Sequence, residues 1–91
     1  MNLLFKESFA RDLEKIPDEE TLARIRQVIS TTEKARTLRE IPHIKKLRTA
    51  GNCFRVRVGQ YRIGLLAEKD EITFVRCLHR REIYRFFPHI R

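Results

Sequence analysis

The chain has 91 residues, 42% of them apolar, with 20 Lys and Arg against 12 Asp and Glu and a net charge of +8. That length fits one domain spanning residues 1–91, and the apolar share exceeds that of a disordered tail. No apolar run approaches the ~18 residues of a membrane span, and Leu3-Leu4-Phe5 meets Lys6-Glu7 too soon for a signal-peptide core, so a soluble cytoplasmic protein is expected.

Leu3 to Phe5 reads as a short strand. Ser8 is a helix-cap candidate, and Phe9, Leu13 and Ile16 then recur on one helical face until Pro17 ends it. Asp18 is the next cap candidate; Glu19 and Glu20 place negative charge at the positive end of a second helix. Leu22, Ile25, Val28 and Ile29 are its apolar stripe, with an end expected near Thr31-Thr32. Together these read as a helical hairpin. Lys34 to Glu40 fits helix or loop, Pro42 favours extended or turn backbone around Ile41, and Thr49 to Asn52 is a loop by composition.

Phe54-Arg55-Val56-Arg57-Val58 alternates as a half-buried strand does. Gly59-Gln60 suits a type II′ turn, Tyr61 to Ala67 is the return strand, and Ile72 to Leu78 is a further strand after the polar turn Glu68–Glu71. Residues 79–88 form a basic tail with aromatic anchors.

A two-residue turn at Gly59-Gln60 sets Arg57 opposite Arg62, Val56 opposite Ile63 and Arg55 opposite Gly64. Arg55, Arg57 and Arg62 then share one face, and the apolar residues between them share the face that covers the helices. Like charges directly opposite weaken a sheet, so the Arg57/Arg62 pair points to a missing counter-charge, for which a phosphate is suited; a solvated basic hairpin is the alternative. On the last strand, one register turns Arg76 to the core and another sets it opposite Arg62. The second is expected, because an unpaired buried arginine is costly.

Residues 1–42 carry eight basic and eight acidic side chains, so the whole excess of +8 falls on residues 43–91. Such an excess favours a polyanion, and nucleic acid is the usual one. Cys53 and Cys77 show no metal-ligand spacing, lie on strands separated by a third, and read as buried free thiols. His43 and His89 show no partner in the sequence and read as surface residues. No metal or cofactor is expected.

The run Phe54-Arg-Val-Arg-Val-Gly-Gln-Tyr-Arg62 with His79-Arg-Arg-Glu-Ile-Tyr84 resembles the RelE/ParE superfamily of bacterial and archaeal toxins. Phe9 to Pro17 is similar to the family's first helix, and Ile44-Lys45-Lys46-Leu47 is similar to the segment before its strand. The resemblance implies an α+β fold in the order strand, helix, helix, strand, strand, strand. A two-helix N-terminal hairpin packs there on a small, mostly antiparallel four-stranded sheet. It also implies an antitoxin partner. RelE-like members enter the ribosomal A site and cleave mRNA; ParE-like members keep the fold and poison DNA gyrase. The basic face and the His-Arg-Arg…Tyr tail favour the RelE branch, with a non-catalytic ribosome- or RNA-binding module as a further alternative.

RNA cleavage of this kind uses the ribose 2′-hydroxyl as nucleophile and leaves a 2′,3′-cyclic phosphate. Fixed guanidinium groups stabilise the charge that gathers on the phosphoryl oxygens. Arg62 and Arg57 are the candidates for that role, with Arg55, Arg76, Arg80, Arg81, Lys45 and Lys46 binding RNA. The strand carries Arg55 and Arg57 where the best-known family pattern has lysines, and an arginine cannot serve as base. Tyr84, which matches the family's C-terminal catalytic tyrosine, His79 and Glu82 remain as proton-transfer candidates.

Overall fold

A computed structural model of the protein describes residues 1–48 and 51–88. The order is β1 (Asn2–Phe5), α1 (Glu7–Glu14), α2 (Glu19–Lys34), a 3-10 turn (Leu38–Glu40), β2 (Ile44–Lys46), β3 (Cys53–Val58), β4 (Tyr61–Glu68), β5 (Glu71–His79) and α3 (Ile83–Phe86). The α+β class holds, but the sheet has five strands in the order β1-β5-β4-β3-β2, because Ile44–Lys46 pairs with β3 as an added edge strand. β1 runs parallel to β5, and the other pairs are antiparallel. The expected loop Thr49–Asn52 falls partly on positions 49 and 50, outside the described residues, as does His89.

Asp18 caps α2 as expected, accepting the Glu20 N–H at 3.2 Å. Ser8 does not cap α1: Lys6 holds that position, and the Ser8 hydroxyl donates to the Val75 carbonyl at 2.6 Å. The reason lies in the sheet edge. β1 pairs only with residues 71–74 of β5 and leaves 75–79 of that strand open. Helix α1 covers this stretch. Lys6 N–H donates to Phe74 O at 2.9 Å, Ser8 follows, and the Asp12 carboxylate accepts the Cys77 N–H at 2.9 Å. Side chains of a helix thus satisfy backbone groups that a neighbouring strand would otherwise take. α1 is therefore seated on β5, and the two helices are not a self-contained hairpin.

The core on the helix side gathers Phe9, Ile25, Val56, Ile63, Leu65 and Phe74, all at most 2% exposed. A second, smaller cluster on the opposite face packs Ile83 and Phe87, from α3 and just after it, against Cys53, Leu66, Val75 and Leu78. Cys53 and Cys77 therefore belong to cores on opposite sides of the sheet, and both are free thiols.

The β3–β4 hairpin has the expected register, with Arg57 opposite Arg62 and Arg55 opposite Gly64; Gly59 turns the chain at φ +58°. The β4–β5 pair does not place Arg76 opposite Arg62. A bulge between Gly64 and Leu65 sets Gly64 against Arg76 and Leu65 against Phe74, so Arg62 faces Leu78. Arg76 instead reaches round the covered edge to Asp12, with Nε at 2.8 Å and Nη2 at 3.1 Å from the two carboxylate oxygens. Its guanidinium carbon lies 5.2 Å from the centroid of the Phe86 ring, a cation–π distance. An unpaired buried arginine is costly, and Asp12, 64 residues away, is the partner that the sequence does not display.

Asp12→Ala strands Arg76 and the Cys77 N–H at once. A loss of about 3 kcal/mol in denaturant unfolding is expected, less than full burial would give because Arg76 keeps some solvent contact. Gly64→Ala would place a Cβ 2.6 Å from the Phe87 ring. It should destabilise by about 1–3 kcal/mol and lift α3 from the sheet, visible as loss of NOEs between the Phe87 ring and residue 64.

Candidate active site

Chain alternation along β3 and β4 puts Arg55, Arg57 and Arg62 on the face away from α1 and α2. The turn after β5 brings Arg80 and Arg81 to the same side, held by the Arg80 N–H on Gln60 O at 2.8 Å. Arg55, Arg62, Arg80, Arg81 and Tyr84 line an open cleft of about 410 Å³. No carboxylate appears among these lining residues. Tyr84 stands 58% exposed on α3, which Ile83 and Phe87 pin to the sheet on either side of it. Gly64 leaves the room that lets Phe87 lie flat there.

Backbone dipoles rather than acids hold the guanidinium groups. Arg62 Nη1 donates to the carbonyls of Gly59 at 2.9 Å and Tyr61 at 3.0 Å. Arg55 Nη1 donates to His43 O at 3.1 Å, and Arg57 Nη2 meets His43 Nδ1 at 3.2 Å. The Arg55 Nε is buried and has no acceptor among the described residues. Arg62 has its pKa lowered, first by partial burial and then by repulsion from Arg55, with Tyr84 acting in the opposite direction. A site that disfavours its own positive charge in this way gains from any anion that enters.

The other candidates are distributed differently. Lys45 pairs with Arg55 across β2–β3 and so sits on the arginine face, whereas Lys46 pairs with Phe54 on the alternate face. Arg57 shares the face without lining the cleft. Arg76 is engaged by Asp12 and stands outside the cleft. His79 pairs with Tyr61, its ring stacking edge-on at 5.9 Å, and its Nδ1 accepts the Arg81 N–H at 3.2 Å. That makes it a support for the Arg80–Arg81 turn rather than a cleft group. Glu82 lines a smaller pocket with His79 and Asp12, also away from the cleft. His43 is exposed as read from the sequence, but it is not without a partner, and its contacts with Arg55 and Arg57 are what sequence reasoning missed; its left-handed backbone, at φ +61°, has no signature in the spacing of the chain. Among the described residues no cluster of three or more His, Cys, Asp or Glu could hold a metal, and no helix is long and apolar enough to cross a membrane.

Residues 3–84 match the family of ParE toxins of type II toxin–antitoxin systems, parDE. The chain is 38% identical over 89 residues to Toxin RelE3 of Methanocaldococcus jannaschii, covering 97% of this chain and 100% of that one. Its fold is similar to the RelB–RelE antitoxin–toxin complex from Methanococcus jannaschii, with a TM-score of 0.80 at 38% identity over 93% of this chain and 99% of that one. It is also similar to the toxin–antitoxin complex RelBE2 from Mycobacterium tuberculosis, with a TM-score of 0.69 at 26% identity over 87% and 96% of the two chains. The chain belongs to the RelE/ParE superfamily of toxins.

Burial keeps both thiols out of the chemistry. Burial, reinforced by Asp12, pushes Cys77 from an ordinary value of 9.0 to about 12, and burial raises Cys53 as well. The unfolded chain releases the Cys77 proton first, so this thiol leaves stability unaffected below pH 9.0 and lowers it as the pH climbs from there toward about 12. Cys77→Ser removes that thiol, so a flatter pH dependence of the unfolding midpoint in that range is the check. Neither native thiol should react with iodoacetamide at pH 8 at a rate above that of global unfolding.

Proposed function

We propose that this chain is the toxin of a type II pair, acting in the cytoplasm as one domain and cutting mRNA in the ribosomal A site. The observation that supports this reading is the cleft itself: four arginines and one tyrosine, with no carboxylate in its lining to neutralise them. An RNA phosphate supplies the missing charge, because guanidinium forks match phosphate oxygens.

In the reaction, the ribose 2′-oxygen attacks the adjacent phosphorus and the bond to the 5′-oxygen breaks. The products are a 2′,3′-cyclic phosphate and a 5′-hydroxyl. The substrate brings its own nucleophile, so no metal-bound water is called for. Arg62, with Arg57 directly opposite it on β3, faces the phosphoryl oxygens as their charge grows; a fixed donor of this type contributes on the order of 3–4 kcal/mol. Arg55, Arg80 and Arg81 hold flanking phosphates, and Lys45 extends that track along β2. Tyr84 is the only non-guanidinium side chain lining the cleft among the described residues and is assigned the proton given to the departing 5′-oxygen, regained from solvent, while the 2′-hydroxyl proton passes to water. With His79 and Glu82 directed elsewhere, neither competes for that task.

A cognate antitoxin is the proposed protein partner, as the M. jannaschii and M. tuberculosis relatives are seen in complexes with theirs. An acidic segment is the chemistry that would match the cleft. The ParE description of the matching family favours a second reading, a gyrase poison on the same fold.

Purified protein with programmed ribosomes should give A-site cuts ending in cyclic phosphate. Arg62→Ala should slow cleavage about 100-fold or more with an unchanged circular dichroism spectrum, and Tyr84→Phe should also slow it. Gyrase–DNA cleavage complexes without any mRNA cut would transfer the assignment to the second reading.

A further inference from the structure

His43 lies between Pro42 and β2 with φ at +61°, in the left-handed region that non-glycine residues enter uncommonly. That backbone turn gives one residue three separate contacts. Its carbonyl accepts the Arg57 backbone N–H at 3.3 Å, which extends the β2–β3 pairing by one position. The same carbonyl accepts Arg55 Nη1 at 3.1 Å. Its ring Nδ1 lies 3.2 Å from Arg57 Nη2. A guanidinium can only donate, so Nδ1 is the acceptor and the ring proton sits on Nε2.

The arrangement answers a difficulty in the sheet. Arg57 is directly opposite Arg62 and shares a face with Arg55. Left alone, these cations would splay apart into solvent. Arg62 is tied down by its own turn, through Gly59 O and Tyr61 O. Arg55 and Arg57 have no such local acceptor, and His43 provides one for each by two different atoms.

We propose that His43 is a positioning residue: its carbonyl fixes Arg55 at the wall of the cleft, and its ring fixes Arg57 beside it, so that both guanidinium groups meet the substrate phosphate already oriented. The mechanistic half of this inference rests on the RNA-cleavage reading above; the structural half does not. Preorganised donors act on the transition state without reorganising as charge develops, so the loss should fall on kcat more than on KM.

The two atoms can be tested separately. His43→Gly keeps the left-handed backbone and the carbonyl and removes only the ring. His43→Asn tolerates the same backbone and returns a short side-chain acceptor. Nitrogen-15 arginine spectra report on guanidinium restraint without any substrate. In His43→Gly the Arg57 Nη signals should average to those of a free side chain while Arg55 stays restrained, and His43→Asn should restore part of the Arg57 pattern. On programmed ribosomes His43→Gly should lower kcat about tenfold, with KM within about twofold, and His43→Asn should recover part of that loss.

An unchanged Arg57 spectrum in His43→Gly overturns the proposal. So does a general loosening of Arg55 and Arg57 together with a lower melting temperature, which would mark a purely structural role. If the wild-type protein leaves mRNA uncut but the arginine spectra respond as described, the cleavage reading fails and the positioning contact stands. If cleavage is present in the wild type and unaltered in His43→Gly, the positioning role in catalysis fails while the cleavage reading survives.

Discussion

The contact between Asp12 and Arg76 ties together three elements that share no sequence neighbourhood. Asp12 is 4% exposed, and burying a carboxylate there is tolerable only because three donors converge on it: two from Arg76 and the backbone N–H of Cys77. On one side this fastens α1 along the part of β5 that β1 leaves open. On the other, the same guanidinium lies against Phe86 of α3. The helix that closes the sheet edge and the helix that carries Tyr84 are thus linked through a single side chain. Without that link the bulged end of β5 would expose unpaired backbone and α3 would lose one of its supports.

With β5 and α3 placed, the sheet separates two environments. One face is apolar and lies under α2 and the edge helix. The other carries a small apolar patch around Ile83 and Phe87, and beside it the arginines. Among the described residues no acid lines the cleft beside its guanidinium groups. Carbonyl oxygens at Gly59, Tyr61 and His43 hold Arg62 and Arg55, which orders them without cancelling their charge. A set of ordered, uncompensated cations is well suited to a phosphate chain. An acidic protein segment would match the same surface by the same physics.

Much of this was readable from residue order. The alternation of Phe54 to Val58, the Gly59-Gln60 turn and the return through Ile63 fix both the register and the arginine face, since a two-residue turn leaves one pairing. The Asp18 cap and the apolar stripe of α2 follow from local chemistry. Other features were not legible there. Ser8 is a plausible cap by type, yet it was taken by a carbonyl 67 residues away. His79 lies next to Arg80 in the chain, but strand alternation directs it to the opposite face. Ile44–Lys46 is too short to announce itself as a strand and becomes one because β3 offers an open edge.

The chain by itself therefore determined the local elements, the single basic half of the molecule and the identity of the groups crowded on β3 and β4. Turn geometry and side-chain period act over a few residues, and a sequence displays them directly. Tertiary structure alone decided which arginine is spent on a carboxylate, which histidine braces a turn and which one grips its neighbours. Those outcomes depend on the bulge beside Gly64, on the edge that β1 leaves free and on a left-handed residue before β2. Each is settled by contacts between distant segments competing for the same hydrogen-bonding groups.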